Sequence, residues 1–81
     1  MEEQEMRDKV LEVLTEEFPG VDFEASDELV ADGVMDSLTI TGVIAALSME
    51  FGIVIPYEEI IEDNFNSVDA LANMVERLQE A

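Results

Sequence analysis

Three stretches of this chain repeat their apolar residues every three or four positions, and no two stretches alternate as paired strands do. That pattern admits helices and little else. In residues 4–18 the stripe is Met6, Val10, Val13, Leu14 and Phe18, with Glu5, Asp8, Glu12 and Glu16 on other faces. In residues 37–51 it is Ile40, Val43, Ile44, Leu47 and Phe51, and in the last stretch Val68, Leu71, Ala72, Val75 and Leu78. Start and stop signals frame each one. Pro19-Gly20 ends the first, Asp36 or Ser37 caps the second, and Gly52 suits the residue just past its end. Ser67 caps the last, with Asp69 in its first turn and Arg77 near its C-terminus, as the helix dipole favours.

Between the first two helices, residues 19–36 follow neither period. A structureless loop that long is uncommon in a compact domain and usually functional. Val21, Phe23, Leu29 and Val34 are spaced to drop onto a core one at a time, and Ser26 or Asp27 is placed to cap a single turn. Gly33 marks a place that needs backbone freedom. After the second helix, Ile53-Val54-Ile55 is too short for a strand without a partner run. Pro56 then starts a short helix over Tyr57–Ile61, and Asn64-Phe65-Asn66 is a loop with one buried side chain. The expectation is an all-α fold. It is a four-helix bundle with a short third helix and a long loop between helices 1 and 2, one domain over 1–81.

Composition narrows function. Asp and Glu number 21 against three cations, Arg7, Lys9 and Arg77, for a net charge of −18. Nucleic acid is excluded as a partner by repulsion; basic protein surfaces are favoured. With no cysteine or histidine, disulfides, Cys/His zinc sites and Ser/His or Cys/His catalysis within the chain are excluded. No apolar run is long enough to span a membrane, and the acidic start Met1-Glu2-Glu3-Gln4-Glu5 is the opposite of a signal peptide. The expectation is a cytoplasmic monomer with no stable membrane insertion. Self-repulsion in so small a fold predicts marginal stability at low salt.

The many carboxylates raise a calcium reading. An EF-hand loop needs oxygen ligands at fixed offsets, glycine at its sixth position and glutamate at its twelfth. Counted from Asp22, those positions hold Asp27 and Gly33; counted from Asp27, the third is Leu29. Both registers fail, and no metal ligands are assigned. Glu58, Glu59, Glu62 and Asp63 read as a solvated face. Nothing in 81 residues builds a cleft for paired carboxylates, so no catalytic residues are assigned and no enzyme activity is expected. Ser37 remains. It stands where the long loop turns into the second helix, at the positive end of the dipole, beside N–H groups without helical partners. An anion attached there is favoured, and Asp36 can do the capping unaided.

Asp36-Ser37-Leu38 at the start of a second helix resembles the phosphopantetheine attachment motif of the acyl carrier protein family. The run Leu29 to Leu38 is similar to that family's entry into the motif. Phe51-Gly52-Ile53-Val54-Ile55-Pro56 is similar to the aromatic, connector and proline after the family's second helix, and Phe65 to Leu71 to the entry into its last. The resemblance is essentially end to end. It implies a carrier bearing 4'-phosphopantetheine on Ser37, transferred from coenzyme A by a phosphopantetheinyl transferase. The arm's thiol would hold an acyl or aminoacyl group as a thioester. A loading ligase and downstream synthase or transferase enzymes would be the other partners, in fatty-acid, polyketide, nonribosomal peptide or related specialised synthesis. Asp36 matches the residue before the serine, which serves the transferase's magnesium ion and fixes the loop, and Leu38 completes the motif.

Where fatty-acid carriers place acids after the serine, this chain has Thr39, Gly42, Ser48 and Met49. Leu38, Gly42, Ala45 and Met49 make a second apolar stripe, roughly opposite the first. Val34, Met35, Thr39, Gly42, Ala45 and Met49 are therefore the expected docking surface, with Val34, Met35 and Leu38 around the base of the arm. A dedicated carrier of aminoacyl or D-alanyl type, or one serving a secondary-metabolite or specialised lipid pathway, is favoured over a housekeeping fatty-acid role. Ile44, Leu47, Ile55, Ile60 and Phe65 are candidates to shelter a cargo chain. The rival is an unmodified acidic helical adaptor that binds a partner through the same apolar face.

Overall fold

A stretch with a 3.6-residue apolar period buries one stripe, and three such stripes make one shared core. The computed structural model describes residues 2–80, and Met1 and Ala81 lie outside it. The elements are α1 (Glu2–Glu17), α2 (Ser37–Phe51), a 3-10 turn at Tyr57–Glu59, α3 (Glu62–Phe65) and α4 (Val68–Glu80). Among the described residues there is no strand. Helix α1 lies against α4 and α2, and α3 packs on α4.

The core takes Val10 and Leu14 from α1, Val43 and Leu47 from α2, and Val68, Leu71, Ala72, Met74 and Val75 from α4. Ile53, Ile55 and Phe65 add to it from the second half of the chain. Of the expected α2 stripe, Ile40, Ile44 and Phe51 are half-buried at its edges. Met74 is fully buried although the spacing assigned it to no stripe; α4 is wedged between neighbours, so its buried arc is wider than one stripe.

The loop from Phe18 to Asp36 is ordered by its own anchors. Phe23 and Leu29 are buried, and the rings of Phe18 and Phe23 meet edge-on with centroids 6.3 Å apart. Ser26 Oγ accepts the Glu28 N–H at 2.8 Å, and Asp32 N–H donates to the Glu28 carbonyl at 2.8 Å, which closes a turn slightly later than the one expected over Asp27–Val30. Two of the three cations then tie elements together. Arg7 on α1 donates to Glu24 at 3.1 Å and to Asp69 of α4 at 2.7 Å; Arg77 on α4 donates to Glu59 of the 3-10 turn at 3.0 Å. These bonds, chiefly the one to Glu24, raise the Arg7 pKa and keep it charged.

One element moves. The short helix expected over Tyr57–Ile61 is only a 3-10 turn at Tyr57–Glu59, and the α-helical turn lies at Glu62–Phe65, across the expected Asn64–Asn66 loop. The reason is local. Ile61 precedes α3 with no side-chain cap bond, so no capping signal marks its start. Phe65, its last residue, is buried and holds that turn against α4. Tyr57, Val54 and Ile61 are left on the surface.

Candidate functional site

The turn into α2 is built from Gly33 onward. Gly33 has φ +81°, a conformation that side chains rarely adopt, and it swings the chain out of the 28–33 turn. Met35 N–H then donates to the Leu29 carbonyl at 2.9 Å, and the Met35 side chain is 1% exposed. Asp36 follows in an extended conformation, and its Oδ1 accepts the Thr39 N–H at 2.8 Å. Asp36 is therefore the N-cap, and the choice between Asp36 and Ser37 is resolved. That N–H holds the Asp36 carboxyl below the usual carboxylate pKa, because the bond favours the charged form.

Ser37 is the first residue of α2 and is exposed. Its carbonyl accepts the Thr41 hydroxyl at 2.9 Å, while no side-chain hydrogen bond of Ser37 occurs among the described residues. The N–H groups of Ser37 and Leu38 have no acceptor within the helix. The first turn of α2 contains no acid, and the helix carries no charged side chain before Glu50. In a chain of net charge −18, this is a neutral face with the dipole's positive end at its head. A phosphate ester formed at an exposed hydroxyl there meets the positive end of the dipole. The adjacent carboxylate, Asp36, is engaged in its own cap bond.

The expected docking residues divide. Leu38 is 77% exposed and Met49 86%, with Ala45 also on the surface between them. Thr39 and Val34 are half-buried. Met35 is corrected: it is a core residue that pins the loop and offers no surface to a partner or an arm. Gly42 is corrected as well. A Cβ at Gly42 would lie 2.4 Å from Phe18 Cζ, so this glycine is where the end of α1 and its following aromatic press on α2. Long-range packing, invisible in the local spacing, decides both. The expected chain-sheltering residues also separate, since Ile60 is on the surface while Leu47 and Phe65 are fully packed.

The spacing gave no sign of Asn66. Its carbonyl accepts the Leu29 N–H at 2.8 Å and its Oδ1 accepts the Val30 N–H at 3.0 Å. A polar residue between buried Phe65 and a helix cap was the available hint.

Residues 4–75 match the family described as the phosphopantetheine attachment site. D-alanyl carrier proteins from two strains of Lactobacillus delbrueckii subsp. bulgaricus are each 30% identical over 78 residues, covering 94% of this chain and 96% of theirs. No solved structure matches. The family's group, 4'-phosphopantetheine, is covalently attached, and its members work with ligases and a transferase. With a matching length, an all-helical fold and the family's match over most of its residues, this chain belongs to the phosphopantetheine-attachment family of carrier proteins.

Proposed function

We propose that Ser37 is the attachment residue and that the chain carries a small acyl or aminoacyl unit, D-alanine foremost, as a thioester on the arm. The observation that carries this reading is the division of labour at the head of α2. Asp36 takes the cap bond, and the neighbouring hydroxyl is left exposed at the positive end of the helix. When bound, the arm supplies the thiol that this cysteine-free chain lacks. The chain's own residues do the rest. Gly33, Met35 and Asp36 set the turn, and Leu38, Ala45 and Met49 give partners an uncharged surface to grip, flanked by Thr39 and Val34.

The cargo class has two supports. The relatives are D-alanyl carrier proteins. The core side chains Leu47, Ile55, Phe65 and Leu71 are already packed together, which suits a cargo that stays outside. On this reading one carrier domain spans 1–81. It works as a cytoplasmic monomer and is a substrate for its partners, with no catalysis of its own.

Incubation with coenzyme A, magnesium and a promiscuous phosphopantetheinyl transferase, followed by intact mass, tests the site. The wild type is expected to gain one phosphopantetheine and Ser37→Ala none. An adaptor would fold, bind its partner and never gain the mass. Loading of the modified protein with D-alanine against a long-chain fatty acid, each with its ATP-dependent ligase, tests the cargo.

A further inference from the structure

We infer that Asn66, far from Ser37 in sequence, is a positioning residue that holds the loop before Ser37 in the form the transferase accepts. The inference rests on the reading of Ser37 as the attachment residue. Asn66 itself is fixed. Phe65 before it and Val68 after it are both buried, and Ser67 is bound as the cap of α4 through the Ala70 N–H at 3.0 Å. From that platform Asn66 makes two bonds to adjacent residues of the loop, carbonyl to Leu29 N–H and Oδ1 to Val30 N–H.

Those two residues carry the remainder of the turn. The Val30 carbonyl accepts the Gly33 N–H at 3.2 Å, and the Leu29 carbonyl accepts the Met35 N–H at 2.9 Å. Next come Asp36, the cap, and Ser37. Ala31, Asp32 and Gly33 are exposed, so little burial holds this rim, and its hydrogen bonds matter correspondingly more. The Oδ1 bond is the side-chain-dependent member of the pair. Its removal leaves the Val30 N–H unpaired and loosens the 30–33 rim, which keeps the Asp32 N–H bond to the Glu28 carbonyl and the Ser26 hydroxyl bond to Asp32.

The expected signature is kinetic. A loop that is competent for part of the time lowers the effective concentration of substrate and leaves the chemical step alone. The apparent KM rises by the inverse of the competent fraction. One lost hydrogen bond allows a rise of up to about tenfold. The measurement is transferase kinetics on the unmodified protein, well below its melting temperature, for wild type, Asn66→Ala, Asn66→Asp and Val75→Ala. Asn66→Ala is expected to raise KM severalfold at unchanged kcat. Asn66→Asp keeps an acceptor oxygen and is expected to restore the wild-type KM. Val75→Ala weakens the core but leaves both Asn66 bonds in place, and is expected to match wild type.

An unchanged KM in Asn66→Ala overturns the inference. So does a raised KM in Asn66→Asp, or an equal rise in Val75→Ala, which would assign the effect to stability. A wild type that gains no mass overturns the Ser37 reading instead. Should Asn66→Ala not fold, Asn66→Leu replaces it, and hydrogen exchange in the wild type adds a second readout. The Val30 amide is expected to exchange more slowly than that of Ala31, and equal rates overturn the inference.

Discussion

Ser37 and Asp36 are both residue types that cap helices, and only one of them caps this one. The Asp36 carboxylate accepts the Thr39 N–H and Ser37 is left exposed. Asp36→Ala removes the cap and is expected to lower the melting temperature by roughly a few degrees. The pH dependence has a definite sign. The folded pKa of Asp36 is lowered from 3.8, so the cap's contribution is present above that value and is lost as pH falls through the lower, folded one. The gap in melting temperature between wild type and Asp36→Ala should therefore be full at neutral pH and close below about pH 4. Melting curves across pH check it; a gap independent of pH counts against the cap. The cap was legible in the sequence down to a choice between Asp36 and Ser37, because capping is local chemistry. The burial of Met35 in the core and the press of Phe18 on Gly42 were not, since both depend on how the folded elements meet.

Elements with strong punctuation were equally readable. Helix α2 runs over the expected span, Ser37–Phe51, and Gly52 ends it with φ +62°, its N–H on the Ser48 carbonyl. The misplaced α3 shows the opposite case, a single turn whose existence depends on burying Phe65 against α4 and not on any cap. Between elements, Arg7 is the joint: one guanidinium holds α1, the loop at Glu24 and the start of α4 at Asp69. All three groups are partly solvated, so each pair contributes only about 0.5 kcal/mol after screening. Arg7→Gln is expected to lower stability by about 1 kcal/mol at low ionic strength. The loss should shrink in 1 M salt, where the Debye length falls to about 3 Å. Denaturant melts at the two salt concentrations check this, and an equal loss in both would assign the effect to packing of the arginine stem.

The molecule as a whole spans 30 × 27 × 19 Å and holds a net charge of −18. At 0.01 M salt the Debye length is about 30 Å, so nearly every carboxylate feels every other; at 0.1 M it is about 10 Å and only neighbours interact. Stability should rise steeply between those concentrations, and a melting temperature flat across them would contradict the repulsion argument. That the fold is a helical bundle was plain from three apolar periods. The loop side chains that complete its core, Phe23, Leu29 and Phe65, were also among those expected, whereas the burial of Met35 and Met74 was not. The placement of Tyr57 has a practical consequence. It is the chain's one tyrosine, there is no tryptophan, and its side chain is 89% exposed. Ultraviolet emission therefore comes from a ring already in water, and melting changes its surroundings little. A partner that covers the turn at Tyr57–Glu59 changes them a great deal. The protein carries an optical probe that is nearly silent to unfolding and responds to docking at that turn.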